Sequence, residues 1–163
     1  MKTHLPPLNI LLADDDKDDR FFFRKALEAL TIPTKVQTVN DGAELMQYLS
    51  REDILPEVLF LDLNMPCKNG SECLSEIKAS NKLKEIPVII YSTSLYDDVA
   101  DLLYTKGAHY YIRKTDLDEL RKILAYLLPV IREKNFVRPL RRDFIFNMPE
   151  VPVKTGEKKS RGY

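Results

Sequence analysis

The sequence predicts an α/β fold: a doubly wound, five-stranded parallel sheet with helices on both faces, followed by a C-terminal extension. Three observations predict it. Short apolar runs alternate with longer amphipathic segments, the pattern of a parallel sheet with crossover helices. The run Val58-Leu59-Phe60-Leu61 has the look of a buried strand. Four apolar runs end in polar groups, at Asp14 and Asp15, Asp62, Ser92 and Lys114. A doubly wound sheet gathers its functional groups at the carboxyl ends of its strands, where strand order reverses.

The elements follow in order. The first strand is Asn9 to Ala13, and Asp18 or Asp19 is the expected cap of a helix reaching about Leu30. Lys35 to Val39, rich in β-branched residues, is the second strand. Asp41 and Glu44 form a box that can satisfy free N–H groups at the start of a helix running to about Arg51. Val58 to Asp62 is the third strand, and Ser71 is the expected cap of a helix ending near Ser80. Val88 to Tyr91 is the fourth strand. Tyr96 to Lys106 is the next helix, with Gly107 in its left-handed C-terminal turn. Tyr110 to Arg113 is the fifth strand, and Asp116 opens a final helix with Pro129 inside it or near its end.

Bulk properties bound the function. A chain of 163 residues suits one domain plus an extension. With 44% hydrophobic and 31% charged residues it has the make-up of an ordinary soluble protein with its own core. No apolar run reaches the ~18 residues of a membrane span, and residues 1–7 lack a signal peptide's apolar stretch. Two cysteines, Cys67 and Cys73, are too few for a disulfide framework or a four-cysteine zinc site, so a cytoplasmic location is expected. Cys67 falls in an exposed loop, and Cys73 is expected as a small core residue. His4 and His109 sit poorly for phosphoryl carriers, one in a chain end and one in a turn. The net charge is zero, yet residues 132–163 carry nine Lys or Arg against four Asp or Glu.

Each polar strand end has a plain explanation by itself. Asp14 to Asp19 suits an acidic helix start. Asp62 suits a turn, Lys114 a surface, and Ser92 a helix cap. Their joint appearance at four strand ends is what the plain explanations leave out. Asp14 and Asp15 beside Asp62 would concentrate negative charge, which either binds a cation or raises a carboxyl pKa.

Together, Asp14-Asp15, the string Leu61-Asp62-Leu63-Asn64-Met65-Pro66, Gly70, Ser92 and Lys114 resemble the receiver domain of two-component response regulators over about residues 8–130. The resemblance implies a flavodoxin-like sheet of order 2-1-3-4-5, with residues 1–131 as the receiver. It implies Asp62 as a phosphoryl acceptor served by a sensor histidine kinase or a histidine phosphotransfer protein. It further implies Mg²⁺ held by Asp14, Asp15, Asp62 and the Asn64 backbone carbonyl, with Lys114 and Ser92 on the phosphoryl oxygens. Ser92 and Tyr111 then form a switch that changes the surface of the fourth helix, fifth strand and fifth helix toward a downstream protein. Such a chain is a signalling protein that catalyses only its own phosphorylation and dephosphorylation.

Three features depart from the family pattern. Thr115 follows Lys114 where proline is usual, which argues against the usual cis peptide. Thr93 is bulkier than the common residue there and is expected to slow hydrolysis of an acyl phosphate. Residues 132–163 extend beyond a minimal receiver, are too broken by proline for a helix-turn-helix output domain, and contain Phe144-Ile145-Phe146, a short strand or an apolar latch.

Two other functions compete. Arg138, Arg141, Arg142, Phe144 and Phe146 mix charge with aromatics as nucleic-acid contacts do, although a solvated basic tail is the simpler account. A phospho-aspartate hydrolase usually carries a second aspartate two residues after its nucleophile, and Asn64 stands there instead. Homodimerisation through the face of the fourth and fifth helices completes the list of expected partners; neither a membrane nor nucleic acid is among them.

Overall fold

The computed structural model describes residues 5–94, 96–133 and 136–149. Strands β1 (Leu8–Ala13), β2 (Thr34–Val39), β3 (Val58–Leu61), β4 (Val88–Ser92) and β5 (Tyr110–Arg113) form one sheet. Its order is β2-β1-β3-β4-β5, with every neighbour parallel. Helices α1 (Lys17–Glu28), α2 (Gly42–Arg51), α3 (Gly70–Ala79), α4 (Asp97–Lys106) and α5 (Leu117–Arg132) make the crossovers. The fold class and strand order implied by the sequence are those observed.

Strand alternation splits the core into two layers. Leu11, Leu59, Leu61 and Ile90 pack with Leu45, Leu49, Leu74, Ile77 and Leu103 of α2, α3 and α4. Ile10, Leu12, Phe60 and Ile89 pack with Phe23, Leu27, Leu120, Leu124 and Leu128 of α1 and α5. Both faces are therefore apolar, and the polar residues accumulate where the strands end.

Two expected helix caps were misplaced. Asp16, in extended conformation, caps α1 by accepting from the N–H groups of Asp18 and Asp19. Asn69, not Ser71, caps α3 by accepting from the Glu72 N–H. A cap must precede the helix with non-helical backbone, and Asp18, Asp19 and Ser71 already lie in the first turn. The Asp41 cap and its Glu44 partner are as expected: Glu44 N–H donates to Asp41, and Glu44 accepts from Asn40 N–H. Gly107 closes α4 with φ +107°. Pro129 lies inside α5, where it and Ala125, the residue whose carbonyl loses a donor, are both exposed to water. Among the described residues every peptide is trans, Lys114–Thr115 included.

The chain returns over the outer edge of the sheet after α5. A single turn of 3-10 helix, Arg141–Asp143, leads to a parallel bridge between Ile145 and Tyr111. The bridge is one residue long, so Phe144-Ile145-Phe146 is a latch more than a strand. Among the described residues no helix is long and apolar enough to cross a membrane.

Candidate functional site

The sheet's own hydrogen-bond ladder sets the site. Strand order reverses between β1 and β3, and Asp14 and Asp62 follow those two strands. Asp62 N–H donates to the Ala13 carbonyl at 3.0 Å, and Lys114 N–H donates to the Ser92 carbonyl at 2.9 Å. Four strand ends are thus tied pairwise at one rim of the sheet.

The loop carrying Asp62 is held close by two glycines. A Cβ on Gly70 would lie 2.2 Å from the Asp62 carbonyl oxygen, and one on Gly42 would lie 2.0 Å from that of Lys68. Larger residues at either place would push the loop away. Cys67, exposed in the same loop, adopts φ +67°, a left-handed conformation that is strained for a side-chain-bearing residue. Cys73 is buried as expected, and burial pushes its thiol up to about 11.

Asp14, Asp15 and Asp62 come together, with one carboxylate oxygen of each within 4.8 Å of the others. Asp14 is fully buried and Asp62 nearly so, while Asp15 is exposed. Burial raises the Asp62 pKa to about 6, against the opposing pull of Lys114 and with reinforcement from Asp14. The Asp14 carboxyl is also raised, first by burial. Its Oδ2 is buried and completes no hydrogen bond. Two buried carboxyls and one exposed one, with their oxygens gathered at one point, are the donor set of a hard-cation site, so the residues fit the Mg²⁺ that the resemblance implies. Asn64 contributes an N–H toward Asp62 Oδ1 at 3.4 Å, a weak hydrogen bond.

Lys114 reaches all of these groups. Its ammonium lies 2.8 Å from Asp14 Oδ2, 2.8 Å from Asp19 Oδ2 and 3.5 Å from Asp62 Oδ2. Only the Asp19 contact has hydrogen-bond geometry. Burial works to lower the Lys114 pKa, but its contacts with Asp14 and Asp19 and the charge of Asp62 outweigh this and hold it above the usual lysine value. The ammonium also stands 5.4 Å from the centre of the buried Tyr91 ring. Asp19, which the sequence marks only as an acidic residue at a helix start, stands on the Lys114 ammonium instead.

Ser92 and Tyr111 are both fully buried, and neither hydroxyl completes a hydrogen bond. Burial raises the Tyr111 phenol, and the neighbouring Ser92 hydroxyl partly offsets this. Every site residue named from the sequence therefore lies at this end of the sheet or, for Tyr111, just behind it. His109 is elsewhere, stacked on Phe136, with burial lowering its pKa to about 4. His4 lies outside the described residues.

The model of the response regulator receiver domain matches residues 10–125. The chain belongs to this family. Receiver domains are signalling modules of two-component systems. Response regulator Rcp1 of Synechocystis sp. is 34% identical over 125 residues, covering 73% of this chain and 85% of Rcp1. The solved structure of phosphorylated RcpA, a cyanobacterial phytochrome response regulator, has a TM-score of 0.69 at 38% identity, covering 75% of this chain and 91% of RcpA. The Mn²⁺-bound form of Rcp1 also has a TM-score of 0.69, at 30% identity, covering 83% and 100%.

Tyr104, Tyr110 and Tyr126 lie near Tyr111 or its neighbours and meet aromatic rings from beyond α5. Residues 136–149 supply those rings, Phe136, Phe144 and Phe146. Phe144 is fully buried, 5.4 Å from the Tyr104 ring and 6.4 Å from that of Tyr111. Phe146 packs on Tyr110 and Tyr126. The Arg138 guanidinium stacks 3.7 Å from the Tyr104 ring and donates to the carbonyls of Tyr104 and Ala108. Arg141 pairs with Asp101 at 2.6 Å. Of Arg138, Arg141, Arg142, Phe144 and Phe146, Arg142 alone is exposed.

Proposed function

We propose that this chain is a response regulator that accepts a phosphoryl group on Asp62 from a sensor histidine kinase or a histidine phosphotransfer protein. The observation that carries it is the buried Asp62 carboxyl, grouped with Asp14 and Asp15 and facing the Lys114 ammonium at 3.5 Å. In the transfer, an Asp62 oxygen attacks phosphorus, the P–N bond of the donor histidine breaks, and that nitrogen leaves with the electron pair. Lys114 and the Ser92 hydroxyl take phosphoryl oxygens, which uses the two groups whose hydrogen bonding is incomplete or shared in the present arrangement.

Asp14, Asp15, Asp62 and the Asn64 carbonyl would hold Mg²⁺. When bound, the cation neutralises charge on the phosphoryl oxygens and on the carboxylates. That Rcp1 has a Mn²⁺-bound form supports a divalent cation for this chain as well. Residues 1–131 form the receiver and residues 132–163 its extension. A cytoplasmic location belongs to the same proposal.

Signalling passes through Ser92 and Tyr111. Drawing Ser92 onto a phosphoryl group changes the space beside the buried Tyr111 ring, and the surface of α4, β5 and α5 responds. In this chain that surface is composite, because Phe144, Phe146 and Arg138 lie on it. A downstream protein, or a second copy associating through α4 and α5, would meet the extension as well as the receiver. The internal use of Arg138, Arg141 and Phe144 weighs against nucleic-acid binding.

The test is the intact mass after incubation with Mg²⁺ and acetyl phosphate. Wild type should gain one phosphoryl group and Asp62→Asn none. A gain in both would move the acceptor elsewhere.

A further inference from the structure

We propose that Asp19 is a positioning residue for the phosphoryl-accepting site: it holds the Lys114 ammonium away from Asp62 in the resting protein and limits how readily phosphorylation begins. The inference rests on Asp62 being the acceptor. Three carboxylates surround one ammonium, but unequally. Lys114 Nζ is 0.7 Å nearer to Asp19 Oδ2, at 2.8 Å, than to Asp62 Oδ2, at 3.5 Å. Asp19 also receives the one properly directed hydrogen bond from the Lys114 side chain among the described residues. Asp14 is equally near but its Oδ2 completes no hydrogen bond.

Asp19 differs from the other acids in what it can be for. It lies outside the group Asp14, Asp15 and Asp62 that could hold a metal ion. A cation bound by those three would leave Asp19 as the remaining carboxylate on Lys114. The first turn of α1 fixes its place, since Asp19 N–H donates to Asp16 Oδ1 at 3.1 Å. Its side chain is about one-third exposed, at 32%, whereas that of Lys114 is 10% exposed. To reach a phosphoryl oxygen on Asp62, the ammonium must leave a charge-assisted hydrogen bond. Removing that bond releases the lysine and also removes a negative charge near the incoming group.

Asp19→Asn is therefore expected to phosphorylate from acetyl phosphate about fivefold faster than wild type, the size of effect a partly exposed ion pair exerts. In a Lys114→Gln background the same substitution should change the rate less than twofold, if Asp19 acts through the lysine. Binding of Mg²⁺ alone, measured by calorimetry, should stay within about twofold in Asp19→Asn and fall at least about tenfold in Asp15→Asn. An unchanged or slower Asp19→Asn overturns the inference. So does an equal acceleration with and without Lys114, which would reveal simple repulsion of the donor. A loss of Mg²⁺ affinity in Asp19→Asn would overturn it as well, by making Asp19 part of the cation site. If wild type itself gains no phosphoryl group while binding Mg²⁺, the acceptor assignment fails and takes this inference with it. A phosphorylated wild type with an indifferent Asp19→Asn defeats this inference alone.

Discussion

Tyr111 donates its backbone N–H to the Phe144 carbonyl at 2.9 Å, and the two rings meet edge to face, both fully buried. The Tyr111 carbonyl in turn accepts from Phe146 N–H at 2.9 Å. The residue proposed as the switch is thus held through both its N–H and its carbonyl by the extension. Strand β5 would otherwise present these groups as a free sheet edge, which proteins commonly cover.

Phe144→Ala is expected to destabilise the protein by about 3–5 kcal/mol, the usual cost of removing a buried phenyl ring. Urea denaturation measures it. Arg142→Ala, exposed and two residues earlier in the same segment, should cost less than about 0.5 kcal/mol. Equal effects would mean that the latch contributes little to the folded state.

Gly70→Ala should displace the loop that carries Asp62, because the new Cβ would fall 2.2 Å from the Asp62 carbonyl oxygen. A stability loss of about 1–3 kcal/mol is expected from the overpacking. Slower labelling by acetyl phosphate at full Mg²⁺ saturation should accompany it. A variant that is as stable and as readily labelled as wild type would show that the loop is not clamped there.

Asp62→Asn should stabilise the metal-free protein at pH 7 and much less at pH 4. Asp62 has a folded pKa of about 6 against an ordinary 3.8, so the folded state holds this proton more tightly than the unfolded chain does. Stability therefore falls as pH rises from 3.8 through 6 and is level above. The difference at pH 7 is on the order of 2 kcal/mol. His109 works in the opposite sense, since its pKa is depressed to about 4 and its contribution is lost as pH falls from 6.5 toward 4. Comparing variant with wild type at each pH cancels His109. Chemical denaturation at pH 4 and 7 without metal gives the answer. A cation at this site must displace the same proton, so Mg²⁺ affinity should be level above pH 7 and drop about tenfold per unit below 6.

Thr93→Ala should shorten the life of the acyl phosphate by opening the side of the site beside Ser92. Thr93 is exposed directly after that buried serine. The rate of phosphoryl loss after removal of the donor measures it, and a rate unchanged from wild type would remove Thr93 from consideration as a shield.

The sequence by itself determined the fold class, the strand order through a family resemblance, and the residues at four strand ends. It could do so because apolar runs and their period are local, and because strand alternation fixes which side chains share a face. It misplaced the caps of α1 and α3, since Asp16, Asp18 and Asp19 all have cap-forming side chains and only backbone conformation separates them. Tertiary structure alone put Asp19 beside Asp14 on the Lys114 ammonium, because Asp19 and Lys114 are 95 residues apart in the chain. It alone also decided the fate of Phe144, Phe146 and Arg138. A short, proline-broken segment has no period of its own, and its conformation comes from the edge of β5 and the aromatic surface on which it closes.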